Sequence, residues 1–315
     1  VTRVNRGTFA GIAVALTFLF HYYNLLLNPS IPDRVLITHY HKIAAGVELA
    51  PDQYRFFIPK LAAFVTHITS LPLEFVAISI DGCSLIGGIL LLANLLQRLG
   101  LGEQIFSVLM YITALATTVL LYPRAESLPA FLGATSLLTA YAEPRRLSVL
   151  IGGSGAVLLA GCRPEMVTGA AIPFMFRWWS ERRIRDLASA IALVALGCAG
   201  VLIPIHLYPK TKYMTDVIQV EHNLNPANFV VPLLISAPVL LSLSLPTLRK
   251  WAPLLSWVGS VVALTFVVGR LDEARIFFPL SGVLGFTGAH LWVRPKSVDL
   301  NSSVATTSPR TNIQP

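Results

Sequence analysis

Leu73-Glu-Phe-Val-Ala-Ile-Ser-Ile-Asp-Gly-Cys-Ser-Leu-Ile-Gly-Gly-Ile-Leu-Leu-Leu-Ala-Asn-Leu-Leu-Gln97 decides the fold, because between Phe75 and Gln97 its only charge is Asp81. As a helix over 73–97 it rises about 37 Å at ~1.5 Å per residue, more than the ~30 Å hydrocarbon core of a bilayer. The rest of the chain repeats the theme. Of its 315 residues 54% are hydrophobic and 13% charged, and the mean hydropathy is +0.66. Soluble domains carry about 25% charged residues. A chain this poor in charge lacks the material for a water-facing surface, and a soluble enzyme is excluded in favour of one solvated by lipid.

Working outward from that stretch, apolar runs predict spans at 8–27, 73–97, 104–122, 127–142, 147–162, 166–179, 187–207, 228–246, 252–269 and 276–293. The expected architecture is all-α: a polytopic transmembrane helical bundle of about ten spans, one transmembrane domain over 1–296. Residues 28–72 form a long outer loop. Within it, Phe56-Phe-Ile-Pro-Lys-Leu-Ala-Ala-Phe-Val65 is too short to span and predicts an amphipathic helix lying at the interface. Residues 297–315, rich in Ser, Thr, Asn and Pro, predict a disordered tail.

The net charge of +8 has a sidedness. If the N-terminus is cytoplasmic, the inner segments hold most of the 24 Lys and Arg, among them Arg98, Arg145, Arg146, Arg182, Arg183 and Arg185. Cytoplasmic loops carry such an excess, so both termini are expected inside. Trp178 and Trp179 beside the 177–185 cluster then sit at the interface, and nucleic acid is not an expected partner. Cys83, Cys162 and Cys198 all fall in apolar runs without metal-type spacing and read as free, buried thiols.

Charge beside a membrane is costly, so its placement is informative. Polar sets gather on the expected outer side: Asp33, Arg34, His39, Tyr40, His41, Asp52, Gln53, Tyr54 and Arg55 in the first loop; Arg163 and Glu165 between two short spans; Lys210 to His222; and Arg270, Asp272, Glu273 and Arg275. Arginine forks hold phosphate and a carboxylate takes a proton from an attacking hydroxyl, which suits a phosphorylated lipid; interfacial anchoring accounts for the same residues more simply. Asp81, about 12 Å into its helix at ~1.5 Å per residue, requires a cavity or a partner, as a proton relay or as a packing residue. His39 and His41 lack a third ligand, so no metal site is assigned. Gly152-Gly-Ser-Gly155 lacks the Gly-Lys-Ser/Thr ending of a phosphate loop and reads as close helix packing. No nucleotide-binding fingerprint occurs, and the cofactor is left open, a divalent metal included.

Three patches resemble a known group. Asp33 followed by His39-Tyr-His-Lys-Ile-Ala-Ala-Gly46 and Asp52-Gln-Tyr-Arg-Phe-Phe-Ile-Pro59 is similar to the first outer loop of poorly characterised bacterial membrane proteins related to glycosyltransferases of the GT-C type. Cys162-Arg-Pro-Glu165 resembles their Arg-Pro-Glu turn, and Asp272-Glu-Ala-Arg-Ile-Phe-Phe-Pro279 their late Glu-x-Arg-hydrophobic-Pro turn. The resemblance implies sugar transfer from a polyprenyl-phosphate donor at the outer face of the bacterial cytoplasmic membrane. Asp33 would be the catalytic base, with Asp52 second. Arg163, Arg270 and Arg275 would meet the donor phosphate, Glu165 and Glu273 would orient them, and His39, Tyr40, Tyr54, Arg55 and Asp272 would complete the substrate surface. The first loop lacks the paired acidic motif many members carry, which keeps a non-catalytic relative open. The rival expectations are a lipid or small-solute transporter or flippase, and a structural subunit of a membrane complex. Lipids are the expected partners; protein partners are undetermined.

Overall fold

The structure, a computed structural model, describes residues 35–50, 55–121, 126–212, 218–240, 245–268 and 276–292. The first predicted span and the tail lie outside the described residues. Within them the chain is all-helical: α1 Val35–Ala45, α2 Phe57–Thr69, α3 Leu73–Arg98, α4 Ile105–Leu121, α5 Ser127–Ala142, α6 Arg146–Cys162, α7 Pro164–Glu181, α8 Ile184–Leu207, α9 Val220–Asn223, α10 Val230–Leu240, α11 Leu245–Val268 and α12 Ser281–Trp292. Three of these stretches, Leu73–Arg98, Ile184–Leu207 and Arg249–Val267, are long and apolar enough to cross a membrane. The others are shorter; α5, from 127 to 142, rises only about 24 Å at ~1.5 Å per residue.

A short apolar helix is accommodated by protein on all sides, and α5 is the case in point. Nearly all its residues are buried, with α3, α6 and α12 packed against it. The sequence permits this because one stripe of α5 is small. A Cβ on Gly133 would lie 2.8 Å from the Gly155 carbonyl oxygen, and one on Gly155 would lie 2.9 Å from that of Gly133. The two backbones therefore touch, as small-residue seams allow. Gly152 is closed in the same way by Ala140, whereas a Cβ on Gly153 meets nothing within 4 Å. The expected role of the Gly152–Gly155 stretch in close packing is met.

The next hairpin, α7–α8, turns at Arg182, whose φ of 56° is left-handed and whose amide caps Trp178. On the other side of α7, the fully buried Trp257 of α11 donates its indole N–H to the Met166 carbonyl oxygen at 2.9 Å. The outward faces of α6 and α8 carry exposed Val149, Leu150, Val157, Ile191, Val194 and Leu202. Apolar residues thus occur both inside and outside, while several charges are inside.

Four details depart from the sequence reading. Part of the expected first loop is the helix α1, ended by Gly46 at φ +79°, where the Val47 amide reaches back to the Lys42 carbonyl at 3.0 Å. Its Val-Leu-Ile-Thr opening reads locally as extended chain and hides the helix. The helix expected at 252–269 begins at Leu245 and runs through Arg249 and Lys250, which are exposed and so do not interrupt it. Of the run expected at 228–246, the described helix is Val230–Leu240, preceded by a 3-10 turn. All three cysteines are free, but only Cys162 is buried; Cys83 and Cys198 are exposed because α3 and α8 turn them outward.

The α5–α6 contact makes a direct prediction. Gly155→Val drives a branched side chain into the Gly133 backbone and costs about 1–3 kcal/mol by overpacking, or prevents folding. Gly153→Ala, one turn face away, leaves stability unchanged. Thermal unfolding of the detergent-solubilised protein separates the two.

Candidate functional site

Helix α6 ends at Cys162 and α7 begins at Pro164, so a single residue joins them. Pro164 has no N–H with which to continue α6, and its ring pushes the preceding residue out of the helical region. Arg163 accordingly adopts φ −146°, ψ 74°. The expected polar turn is therefore a one-residue joint, and its side chain is turned inward: Arg163 is only 2% exposed.

Around this guanidinium stand two carboxylates and a second arginine. Arg163 Nη1 donates to Glu165 Oε1 at 3.3 Å, and its Nη2 lies 3.5 Å from Glu126 Oε1. The same Glu126 oxygen accepts from Arg55 Nη1 at 2.9 Å. Glu126 is 3% exposed and immediately precedes α5, where the positive end of the helix dipole also favours a carboxylate. The alternating set Arg55–Glu126–Arg163–Glu165 neutralises charge that would be prohibitive singly. Neutralisation does not exhaust the donors. Among the described residues Arg163 Nε has no hydrogen-bond acceptor, Nη2 has only the long pairing with Glu126, and the buried hydroxyl of Tyr40 has no partner.

Tyr40 extends the site toward the middle of the fold. It is fully buried, and its phenol is held well above its ordinary pKa, first by burial and then by the negative charge of Asp81, with Cys162 and Glu126 adding to it. Asp81, on α3, is itself fully buried. The loop after α8 closes over the same region: the Ala50 amide donates to the Lys212 carbonyl oxygen at 2.9 Å, and Phe56 packs edge-on against Tyr208 with ring centroids 5.8 Å apart.

Of the residues singled out from sequence, the structure brings together Tyr40, Asp81, Arg55, Arg163 and Glu165. Glu126 is the member that sequence reasoning missed. The signal was Arg124-Ala-Glu126 in the short turn before α5, on the side to which helix alternation also assigns Arg163. Asp33, Asp52, Tyr54, Arg270, Asp272, Glu273 and Arg275, and the side chain of His39, lie outside the described residues. His41 is exposed on helix α1, where two imidazoles at i and i+2 would point to different faces.

A second charged cluster occupies the other end of α7. Arg177 Nη2 donates to Asp186 Oδ1 and its Nη1 to the Tyr141 carbonyl, both at 2.6 Å, and the guanidinium lies 4.7 Å from the Tyr141 ring centre. Nearby, Glu143 pairs with Arg98 at 3.4 Å and with Arg145 at 3.2 Å. These bonds tie helix ends together.

No protein-family model, characterised protein or solved structure matches the chain, so the chemistry of the site is read from its own residues.

Two substitutions probe the cluster. Glu126→Gln leaves two arginines without their shared counter-charge and is expected to cost about 3–5 kcal/mol, read as a fall in unfolding midpoint. Tyr40→Phe removes a hydroxyl with no hydrogen-bond partner among the described residues and is expected to leave stability at neutral pH unchanged or raised. In the wild type the raised phenol keeps its proton in the fold but loses it in the unfolded chain above about pH 10. Stability therefore falls as pH climbs past that value, and the variant should lose this slope in a pH series of thermal midpoints.

Proposed function

We propose that this chain is an integral membrane protein which binds a polyprenyl-phosphate-linked sugar at the Arg55–Glu126–Arg163–Glu165 end and transfers the sugar to an acceptor. The observation that carries the reading is the unsatisfied edge of Arg163. Among the described residues Arg163 Nε has no acceptor and Nη2 has only the long 3.5 Å pairing with Glu126, so this edge of a buried guanidinium suits a phosphate oxygen; a buried donor left without an acceptor costs about 1–3 kcal/mol. The apolar outward faces of α6 and α8 suit a bilayer, in which the prenyl chain of the donor would lie. Helix α2, with Leu61, Phe64 and Ile68 exposed, suits the interface on that side.

The orientation follows from charge. The opposite end carries Arg145, Arg146, Arg182, Arg183 and Arg185, a basic excess that supports a cytoplasmic position for it and, with it, an outer-face position for the Arg163 end. About ten spans, with both termini inside, complete the topology. In the reaction an acceptor hydroxyl attacks the anomeric carbon as the bond from that carbon to the phosphate oxygen breaks. The hydroxyl proton passes to a carboxylate, Asp33 in first place and Asp52 in second, and the anomeric configuration inverts. Arg163, with Arg275 from the late turn, balances the charge developing on the departing phosphate. A non-catalytic relative would keep the lipid-phosphate site and lack the base.

A transporter or flippase is the second reading, favoured by the complete burial of Asp81 in a long apolar helix beside Tyr40. Assays in proteoliposomes containing a radiolabelled polyprenyl-phosphate hexose or pentose distinguish the two. The transferase reading expects sugar transfer in wild type, loss of transfer in Asp33→Asn with unchanged folding, and weaker donor binding in Arg163→Lys, which keeps the charge but not the fork. Transfer at the wild-type rate in both Asp33→Asn and Asp52→Asn would remove these carboxylates from the mechanism. Gradient-dependent movement of substrate, blocked by Asp81→Asn and without any transfer, would replace the enzyme by a transporter.

A further inference from the structure

At the end of the fold remote from Arg163, a groove of about 230 Å³ opens between α6 and α8 over the buried flank of α5. Its floor and walls are apolar, built from Leu137, Val149, Gly153, Ala156, Leu193 and Leu196. At one end the lining is polar: the buried pair Arg177–Asp186, Ser189 and the exposed Arg185. An apolar groove with an exposed arginine at one end fits a molecule with an apolar tail and an anionic head.

The charges at that end identify the sign of the head. Asp186 is already matched by Arg177 at 2.6 Å, so it does not set the local potential alone. Arg177 is in turn committed to Asp186 and the Tyr141 carbonyl, both at 2.6 Å. The side chain of Arg185 is exposed and makes no ion pair or hydrogen bond among the described residues. Arg146, one turn ahead of Val149, is exposed and likewise unpaired among them. Nearby, Arg183 is matched by Glu181 at 2.6 Å, and Arg182 lies over the rings of Trp178 and Trp179. The uncommitted charge at this end is positive. The adjacent tryptophans mark the level at which headgroups begin.

We infer that this groove is a binding site for an anionic glycerophospholipid of the surrounding leaflet, one acyl chain lying over Gly153 and the phosphate on Arg185. Basic pockets between membrane helices on the cytoplasmic side hold anionic headgroups in this manner. The inference rests on the membrane reading above but not on the transferase reading. The absence of any atom within 4 Å of a Cβ at Gly153 means that the groove, not the packing, is what a side chain there would fill.

The test uses the full chain in nanodiscs of equimolar phosphatidylglycerol and phosphatidylcholine. After transfer to mild detergent, retained lipid is counted by native mass spectrometry. Phosphatidylglycerol should be retained over phosphatidylcholine, and Arg185→Gln should reduce that preference by about fivefold, the effect of one arginine at the surface. Gly153→Leu should lower retention of both lipids while helicity and unfolding midpoint stay at wild-type values. Equal retention of the two lipids by wild type, or Gly153→Leu without effect in a folded protein, overturns the site. So does a protein partner covering this face at fixed stoichiometry. A chain that stays in solution without detergent or nanodisc fails differently, by removing the membrane reading itself.

Discussion

The backbone contact between Gly133 and Gly155 governs the arrangement of everything around it. In the bilayer proposed above, burial of apolar area contributes little to holding helices together, and close van der Waals packing has to do so. The missing side chains on α5 and α6 allow the two helices to touch along their backbones. That contact seats α5 inside a shell of α3, α6 and α12. It also places Glu126, at the head of α5, within reach of Arg163, at the foot of α6. The charged cluster is therefore a consequence of the small-residue seam as much as of the charged residues themselves.

The cluster inverts the usual distribution of polarity. Val149, Leu150 and Ile191 face outward while Arg163, Glu126, Asp81 and Asp186 are buried. Each internal charge needs an opposite one close by, and the distances meet that need at both ends of α7. The two ends differ in what is left over. Arg177 is bonded by Asp186 and by the Tyr141 carbonyl at 2.6 Å and lies against aromatic rings, whereas Arg163 has only pairings of 3.3 and 3.5 Å and, among the described residues, no acceptor for Nε. The first arrangement fastens helices, and the second has room in its bonding for a further oxygen-bearing group.

Much of the helical framework was legible in the sequence because runs of apolar residues without charge have few other options in or near a bilayer. The Arg163–Glu165 joint was legible too, since proline ends one helix and begins the next. Pairings across distance were not. Arg55 and Glu126 are 71 positions apart and nothing in either neighbourhood names the other. Helix α1 was hidden by its β-branched opening, and the outward turn of Cys83 and Cys198 could not be read from hydropathy, which counts residues without assigning them a face. For the site, composition identified which residue types would matter on that side and left their partners open.

The order of the charged residues along the chain bears on how such a protein is made. Arg55, Glu126, Arg163 and Glu165 alternate in sign from the N-terminus onward, and chains emerge and fold N-terminal part first. When Glu126 enters the apolar layer, Arg55 has already been synthesised; when Arg163 follows, Glu126 is in place at the head of the preceding hairpin. At no stage does biosynthesis have to carry two like charges of this set inward in succession. The order of synthesis is thus compatible with the final pairing, in which the one-residue joint at Arg163 sets its guanidinium beside Glu126.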